Sequence, residues 1–374
     1  MIIDGLDECE DGRKDLLETF KNLIKRGANY APEKLRVLFL SQPLPGIKNA
    51  LPEAAILTLQ PEHTKADIQK YCRTRTRELL KFEFSNEDLN YIVQRICTKA
   101  DGIFLFAELV MDNLAKQPCT ACFRAEISAE RLPKSLDEAY TRIMERLKRD
   151  LGPEQLEYTR LLLGWLVCSK RPLKWTEIQL ALSIDMEMSD LNTDLKLRDD
   201  VQELCGSLVQ LLEGNRVELV HSTAKQFIEQ QSDINLAAAE SDLTLRCLRY
   251  LTLDIFNPDV SDSDLRCYAL QGDFAFQDYA VASWFLHIRT LVEAKQAFLE
   301  RDLMSIDRDS SVQSLNVSRE LEKFVLFYEE SFPRDSVTEQ SQKDCEFFRQ
   351  YPFYDNLDLG PHQLRTTRGS ASQE

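Results

Sequence analysis

The first apolar run, Met1-Ile2-Ile3, breaks at once into the acidic turn Asp4-Gly5-Leu6-Asp7-Glu8. Residues 13–27 then set Leu16, Leu17, Phe20, Leu23 and Ile24 at helical spacing, and Leu35 to Leu40 form a second apolar run ending at Ser41-Gln42-Pro43. Strand, helix and buried strand in that order predict a βαβ unit, and so a parallel sheet. Met1–Ile3 has no element before it to pair with, so residues 1–60 read as the C-terminal part of an α/β domain. From about residue 61 the pattern turns helical. Ser85 with Asp88 opens a helix carrying Leu89, Ile92, Val93, Ile96 and Cys97. Gly102 to Lys116 is apolar on nearly every face, and Ser135 with Glu138 opens a further helix through Leu136, Ala139, Ile143 and Leu147. Residues 61–150 are thus expected to be a helical domain.

Residues 151–235 alternate differently. A helix rich in Leu161, Leu162, Leu163 and Trp165 leads to Lys170-Arg171-Pro172-Leu173, and Thr176 with Gln179 begins a short helix through Ile178, Leu180, Ala181 and Leu182. Another helix ends near Gly206, after which Leu208 to Leu212 and Val217 to Val220 flank Gly214-Asn215, a dipeptide that marks a tight hairpin. Three helices followed by a hairpin is the plan of a winged helix. Beyond it the apolar positions Leu243, Cys247, Leu248 and Leu251, and later Tyr279 to Ile288, predict a helical region over 236–334. The stretch 335–374 reads as a partly disordered tail, poor in apolar residues toward its end. The fold class expected is mainly α with an α/β remnant.

Composition narrows the function. A formal charge of −16 works against a broad surface that tracks phosphates, because the field of the whole molecule repels nucleic acid and anionic lipid. Protein partners are expected, with no nucleic acid and no membrane. Ten cysteines, scattered mostly through apolar helical patterns, fit small hydrophobes in a reducing compartment, and the acidic start does not resemble a signal peptide. The location expected is cytoplasmic.

The acidic turn carries the candidate chemistry. A magnesium ion on a nucleotide needs a hard carboxylate at the end of a buried strand, and hydrolysis needs a second acid a few residues on to orient water. Asp4 suits the metal, while Asp7 or Glu8 suits the water. The competing reading is a turn in which Asp4 and Asp7 cap the following helix. None of the twelve glycines is followed by lysine, so the sequence holds no Gly-Lys-Ser/Thr to cradle phosphates.

The string Met-Ile-Ile-Asp4-Gly5-Leu6-Asp7-Glu8 resembles the Walker B segment of the NACHT family of signalling P-loop NTPases, and Leu40-Ser41-Gln42-Pro43 resembles the family's sensor segment. That segment usually carries arginine where Gln42 stands. A neutral amide cannot neutralise charge on phosphoryl oxygens, which implies at most vestigial roles for Asp7 and Glu8. Gly102-Ile103-Phe104-Leu105-Phe106-Ala107, Leu132-Pro133-Lys134-Ser135-Leu136-Asp137-Glu138, Lys170-Arg171-Pro172-Leu173 and Val220-His221-Ser222-Thr223-Ala224-Lys225-Gln226-Phe227 are similar to lid and winged-helix motifs of the fungal members. Phe274-Ala275-Phe276-Gln277-Asp278-Tyr279-Ala280 and Ser283-Trp284 are similar to the helical domain beyond.

The resemblance implies a nucleotide-gated switch, with a helical lid over 61–150 and with His221 touching the phosphates of a bound nucleotide. The plain alternative is a histidine that caps the helix after it. No cofactor is expected of the chain as given, and Mg-ATP or Mg-GTP only with a P-loop supplied upstream. The winged helix resembles the type also named after GPI inositol-deacylases, but the sequence has no Gly-x-Ser-x-Gly elbow of a hydrolase.

Two rival functions remain open, a non-catalytic protein-interaction module and a winged-helix DNA-binding regulator. Against the second, residues 171–232 hold 6 Lys/Arg and 11 Asp/Glu, a net of −5, and the segment Glu177 to Ser183 has no basic residue. Cys119-Thr-Ala-Cys122 has zinc-like spacing without a second pair nearby, and reads as linker cysteines.

Overall fold

A computed structural model describes residues 1–6, 9, 13–30, 36–41, 45–51, 54–82, 84–128, 130–186, 190–301, 317 and 319–327. The expected tail over 335–374 lies outside them, as does part of the expected 236–334 region. Two compact units emerge, Met1–Glu108 and Leu109–Glu374.

In the first unit β1 (Ile2–Ile3) and β2 (Leu38–Phe39) pair in parallel, Ile2 opposite Leu38 and Ile3 opposite Phe39, with α1 (Arg13–Tyr30) joining them. This is the βαβ unit that the apolar runs predict. The ladder runs from Leu38 N–H to Met1 O (3.0 Å), through Leu40 N–H to Ile3 O (2.8 Å), to Leu6 N–H on Leu40 O (3.2 Å). Within the described residues β2 covers only part of the expected 35–40 run, although the Met1 ammonium also donates to Arg36 O at 2.9 Å. Phe20 of α1 packs edge-on against Phe39 with ring centroids 5.8 Å apart, which seats the helix on the strand.

After α2 (Pro45–Ala50), α3 (Pro61–Arg75) packs on α4 (Asn86–Ala100). α4 starts as the sequence predicts. Ser85 Oγ accepts from Asp88 N–H at 3.1 Å while Asp88 Oδ2 accepts from Ser85 N–H at 3.0 Å. Gly102 is required by close approach: its φ is +83°, and a Cβ there would lie 2.5 Å from Pro61 Cα. α5 (Phe104–Ala115) follows.

The second unit continues with α6 (Thr120–Glu126) and α7 (Leu136–Asp150), the latter capped by Ser135 as expected. α8 (Pro153–Cys168), β3 (Leu173–Lys174), α9 (Trp175–Leu182), α10 (Val201–Cys205), β4 (Val209–Leu212) and β5 (Arg216–Leu219) then build the winged helix, with α11 (Ser222–Glu229) after it. Its sheet is antiparallel in the order β3-β5-β4.

Two details differ from the sequence reading. Leu212 pairs with Arg216, so the hairpin closes over three residues, with both Gly214 (φ +79°) and Asn215 (φ +57°) left-handed. α9 is opened by Lys174, whose N–H donates to Glu177 Oε2 at 2.8 Å, and not by Thr176 with Gln179. Leu173 must enter the sheet beside Val217, which fixes where the helix can start.

α12 (Leu236–Leu251), α13 (Asp262–Gln271) and α14 (Gln277–Arg301) complete the second unit. α12 is its spine, packed on α8, α9 and α14. Its Leu243, Cys247, Leu248 and Leu251 are buried, in line with the helical periodicity.

Candidate functional site

Asp4 sits on the turn that leaves β1, with an exposed side chain whose Oδ1 accepts from Gly5 N–H at 2.9 Å. Gly5 takes φ +67°, and Leu6, 1% exposed, plugs the turn into the interior. Asp4 makes no hydrogen bond to α1 among the described residues. The carboxylate is thus presented at the C-terminal end of a parallel strand, the end where ligands gather in parallel sheets. Asp7, Glu8 and Gln42 lie outside the described residues.

His221 stands at the junction of β5 and α11, 2 residues before Thr223. It caps α11: its Nδ1 accepts from Thr223 N–H at 3.2 Å and meets Thr223 Oγ1 at 3.0 Å. Thr223 Oγ1 lies 2.9 Å from the Tyr140 hydroxyl, and Phe227 packs on the Tyr140 ring at 5.3 Å. The ring of His221 stays exposed, and its Nε2 makes no hydrogen bond among the described residues. The histidine therefore performs the capping job that the plain reading gives it, with one nitrogen left over.

A second constellation escapes the motif reading and lies where the winged helix meets the helices after it. Glu240 on α12, 5% exposed, receives Lys170 Nζ at 2.8 Å and His287 Nδ1 at 2.7 Å on the same oxygen. The other ring nitrogen, His287 Nε2, is 2.9 Å from the Tyr279 hydroxyl, which also accepts from Lys170 N–H at 3.2 Å. With a neutral imidazole these contacts suit one arrangement of protons. Tyr279 accepts from the backbone and donates to Nε2, so the neutral His287 donates from Nδ1 to Glu240.

Burial pulls the His287 pKa down from its ordinary value, in keeping with the neutral form. Burial pushes Glu240 up, but the hydrogen bonds from His287 and Lys170, with the charge of Lys170, outweigh it and hold the carboxyl below the usual range. Beside this cluster Arg171 forks onto Glu177 (2.7 and 2.9 Å) and lies 5.0 Å over the Tyr279 ring. Glu177 is fully buried, so the acid of α9 is consumed inside the fold and presents no charge outward.

The sequence does hold a signal for this cluster. Glu240 falls in register with Leu243, Cys247 and Leu251, and His287 with Ala280, Trp284 and Leu291, so each is a polar residue on an apolar stripe. Cys119 and Cys122 also come together, Sγ to Sγ 3.3 Å, at the start of α6. The Cys122 N–H and thiol, both hydrogen-bonded to Cys119, hold the Cys119 thiol below its ordinary value. Among the described residues no group of three or more His, Cys, Asp or Glu is placed to hold a metal ion, and no helix is long and apolar enough to cross a membrane.

Arg246 on α12 ties the winged helix to that spine. Its guanidinium donates to Ala181 O at 2.6 Å and to Asp242 at 2.9 Å, and it lies 5.3 Å over the ring of Trp165, whose Nε1 also donates to Asp242 at 3.1 Å. Residues 153–246 match the family described as GPI inositol-deacylase, winged helix domain. The match runs past residue 235 and ends at Arg246, the residue that clamps α12 onto α8 and α9. No curated protein and no solved structure matches the chain. The chain thus carries, over residues 153–246, a winged-helix domain of the kind named after GPI inositol-deacylase.

Proposed function

We propose that the chain is the switch portion of a nucleotide-gated signalling or scaffold protein of the NACHT type, without NTPase activity by itself. The observation that carries this reading is the parallel β1-α1-β2 unit with Asp4 presented at the strand end, where a carboxylate can hold a nucleotide's magnesium ion. The winged-helix match and the free Nε2 of His221 support it. In this reading His221 keeps Nδ1 on its cap and offers Nε2 to a phosphate oxygen, while Tyr140, through Thr223, ties that cap to α7. Mg-ATP or Mg-GTP becomes a ligand only when a P-loop is joined to the chain, since Asp4 acts through an ion that the phosphates already hold.

Calorimetry with Mg-ATP and Mg-GTP tests the proposal in two arms. The chain alone should show no low-micromolar binding. Joined to an in-frame upstream segment with Gly-x-x-x-x-Gly-Lys-Ser/Thr, it should bind one of the two nucleotides, and Asp4→Asn should weaken that binding by about tenfold or more, the scale of a lost metal-ion contact. Absence of such a segment upstream, or binding indifferent to Asp4→Asn, sinks the reading. Tight binding by the chain alone, abolished by Asp4→Asn, would instead make it an active nucleotide site without a P-loop.

A further inference from the structure

A polar cavity of about 200 Å³ opens between the end of α5, α6 and α7. We propose that it binds a small zwitterion bearing a carboxylate and an ammonium group, of the α-amino acid class. Among its lining residues is Arg146, 5% exposed, whose Nε has no hydrogen-bond partner. No carboxylate forms an ion pair with Arg146 among the described residues; Asp112 and Asp150 act on it only at a distance, and burial pulls its pKa down. The neighbouring arginines are already neutralised. Arg142 meets Glu145 at 2.8 Å, Arg149 meets Asp150 at 2.8 Å, and Arg131 meets Glu126 at 3.1 Å. One buried positive charge is left over. A guanidinium fork matches a carboxylate better than any other monoanion, because two parallel N–H groups meet two oxygens.

Three acceptors belong to other residues that line the cavity. Asn113 Oδ1, Gln117 Oε1 and Glu126 Oε2 are all buried without a hydrogen-bond partner, on side chains whose residues are 6%, 3% and 8% exposed. Gln117 donates Nε2 to Asn113 O at 3.0 Å, which fixes its amide so that the oxygen is the end left over. Buried acceptors without donors are costly, and three of them ask for a group with several N–H bonds. An ammonium has three donors and no acceptor, which matches three acceptors left without donors. Water can fill a polar space of this size and satisfy the acceptors, but it leaves Arg146 uncompensated.

The test is calorimetry and thermal shift on the full chain with each of the common L-amino acids, alongside acetate, methylammonium and inorganic phosphate as partial probes. At least one amino acid should bind and raise the melting temperature, while acetate and methylammonium each bind at least about tenfold more weakly, since each makes half of the contacts. Arg146→Met should abolish binding and Arg146→Lys should weaken it. Glu126→Gln should weaken it as well, and it decides the matter if circular dichroism shows that the Arg146 variants do not fold. Silence from every amino acid at about 10 mM, a concentration that reveals even a millimolar site, overturns the proposal. So does binding unchanged in Glu126→Gln, or binding of phosphate alone, which would make the cavity a plain anion site.

Discussion

His287 is a histidine wholly out of contact with water whose two nitrogens are both engaged, one as donor to Glu240 and one as acceptor from Tyr279. That geometry has a pH consequence. An unfolded histidine takes a proton near pH 6.5, whereas the folded His287, its pKa lowered by burial, takes one only at lower pH. Below about 6.5 the unfolded state therefore binds more protons, and stability falls with pH. The contribution is fully present above pH 6.5 and is lost on the way down to the folded pKa. Glu240, also held low, acts with the same sign at more acid pH. His287→Gln should cost about 1–3 kcal/mol at pH 8, the usual price of breaking a buried hydrogen-bonded group, yet lose less between pH 7.5 and pH 5.5 than the parent. Urea melts across that range check it, and parallel curves for the two proteins would refute the role given to His287. Neither Glu240 nor His287 belongs to a familiar motif, and the sequence marks them only as polar residues on apolar stripes. Which partners they find is decided by α12 and α14 lying side by side.

Among the elements, α8 and α12 show how one small residue sets a helix crossing. A Cβ added at Gly164 would lie 2.6 Å from Ala239 Cβ, so the two helices touch there at backbone range. Gly164→Ala should gain helix propensity but force α8 off α12, for a net loss of about 1–3 kcal/mol by overpacking. The double change Gly164→Ala with Ala239→Gly should recover much of that, read as coupling in a thermal-melt cycle. Additive costs would mean that the helices do not meet through this pair. The caps at Ser85 and Ser135 and the strand pair β4-β5 follow from short-range patterns in the chain. The start of α9 does not, because the sheet position of Leu173 overrides the nearby Thr176 and Gln179, and a buried Glu177 takes over the cap. Helix α12 is read correctly as amphipathic, but its packing on the winged helix brings together residues far apart in the chain, such as Arg246 and Ala181, 65 positions away.

At the scale of the whole molecule, the exposed apolar side chains among the described residues are densest near the start of the chain. Ile2 (70%), Leu38 (52%), Ile56 (63%), Leu57 (83%) and Leu59 (68%) all fall within residues 1–60. A two-stranded parallel pair has two open edges and little to cover its faces, a setting that favours self-association. Removing residues 1–60 should therefore raise the soluble yield and lower the sedimentation-derived mass average. Precipitation of the shortened chain would show instead that this segment protects the rest. The sequence by itself determined the kinds of element and their order: the period of apolar residues sets helix or strand locally, and Ser, Gly and Asn at the ends mark starts and turns, all within a few residues of each other. It also determined that Asp4 ends a strand, and it left His221 open between capping a helix and meeting a phosphate. Only the tertiary structure decided that Asp4 makes no hydrogen bond to α1 among the described residues, that His221 spends Nδ1 on its own helix, that Lys170, Glu240, Tyr279 and His287 share one buried cluster, and that Arg146 lies buried without a counter-charge. Such pairings join residues tens of positions apart, and what selects them is the close packing of helices and the need of every buried polar group for a partner, neither of which is visible along the chain.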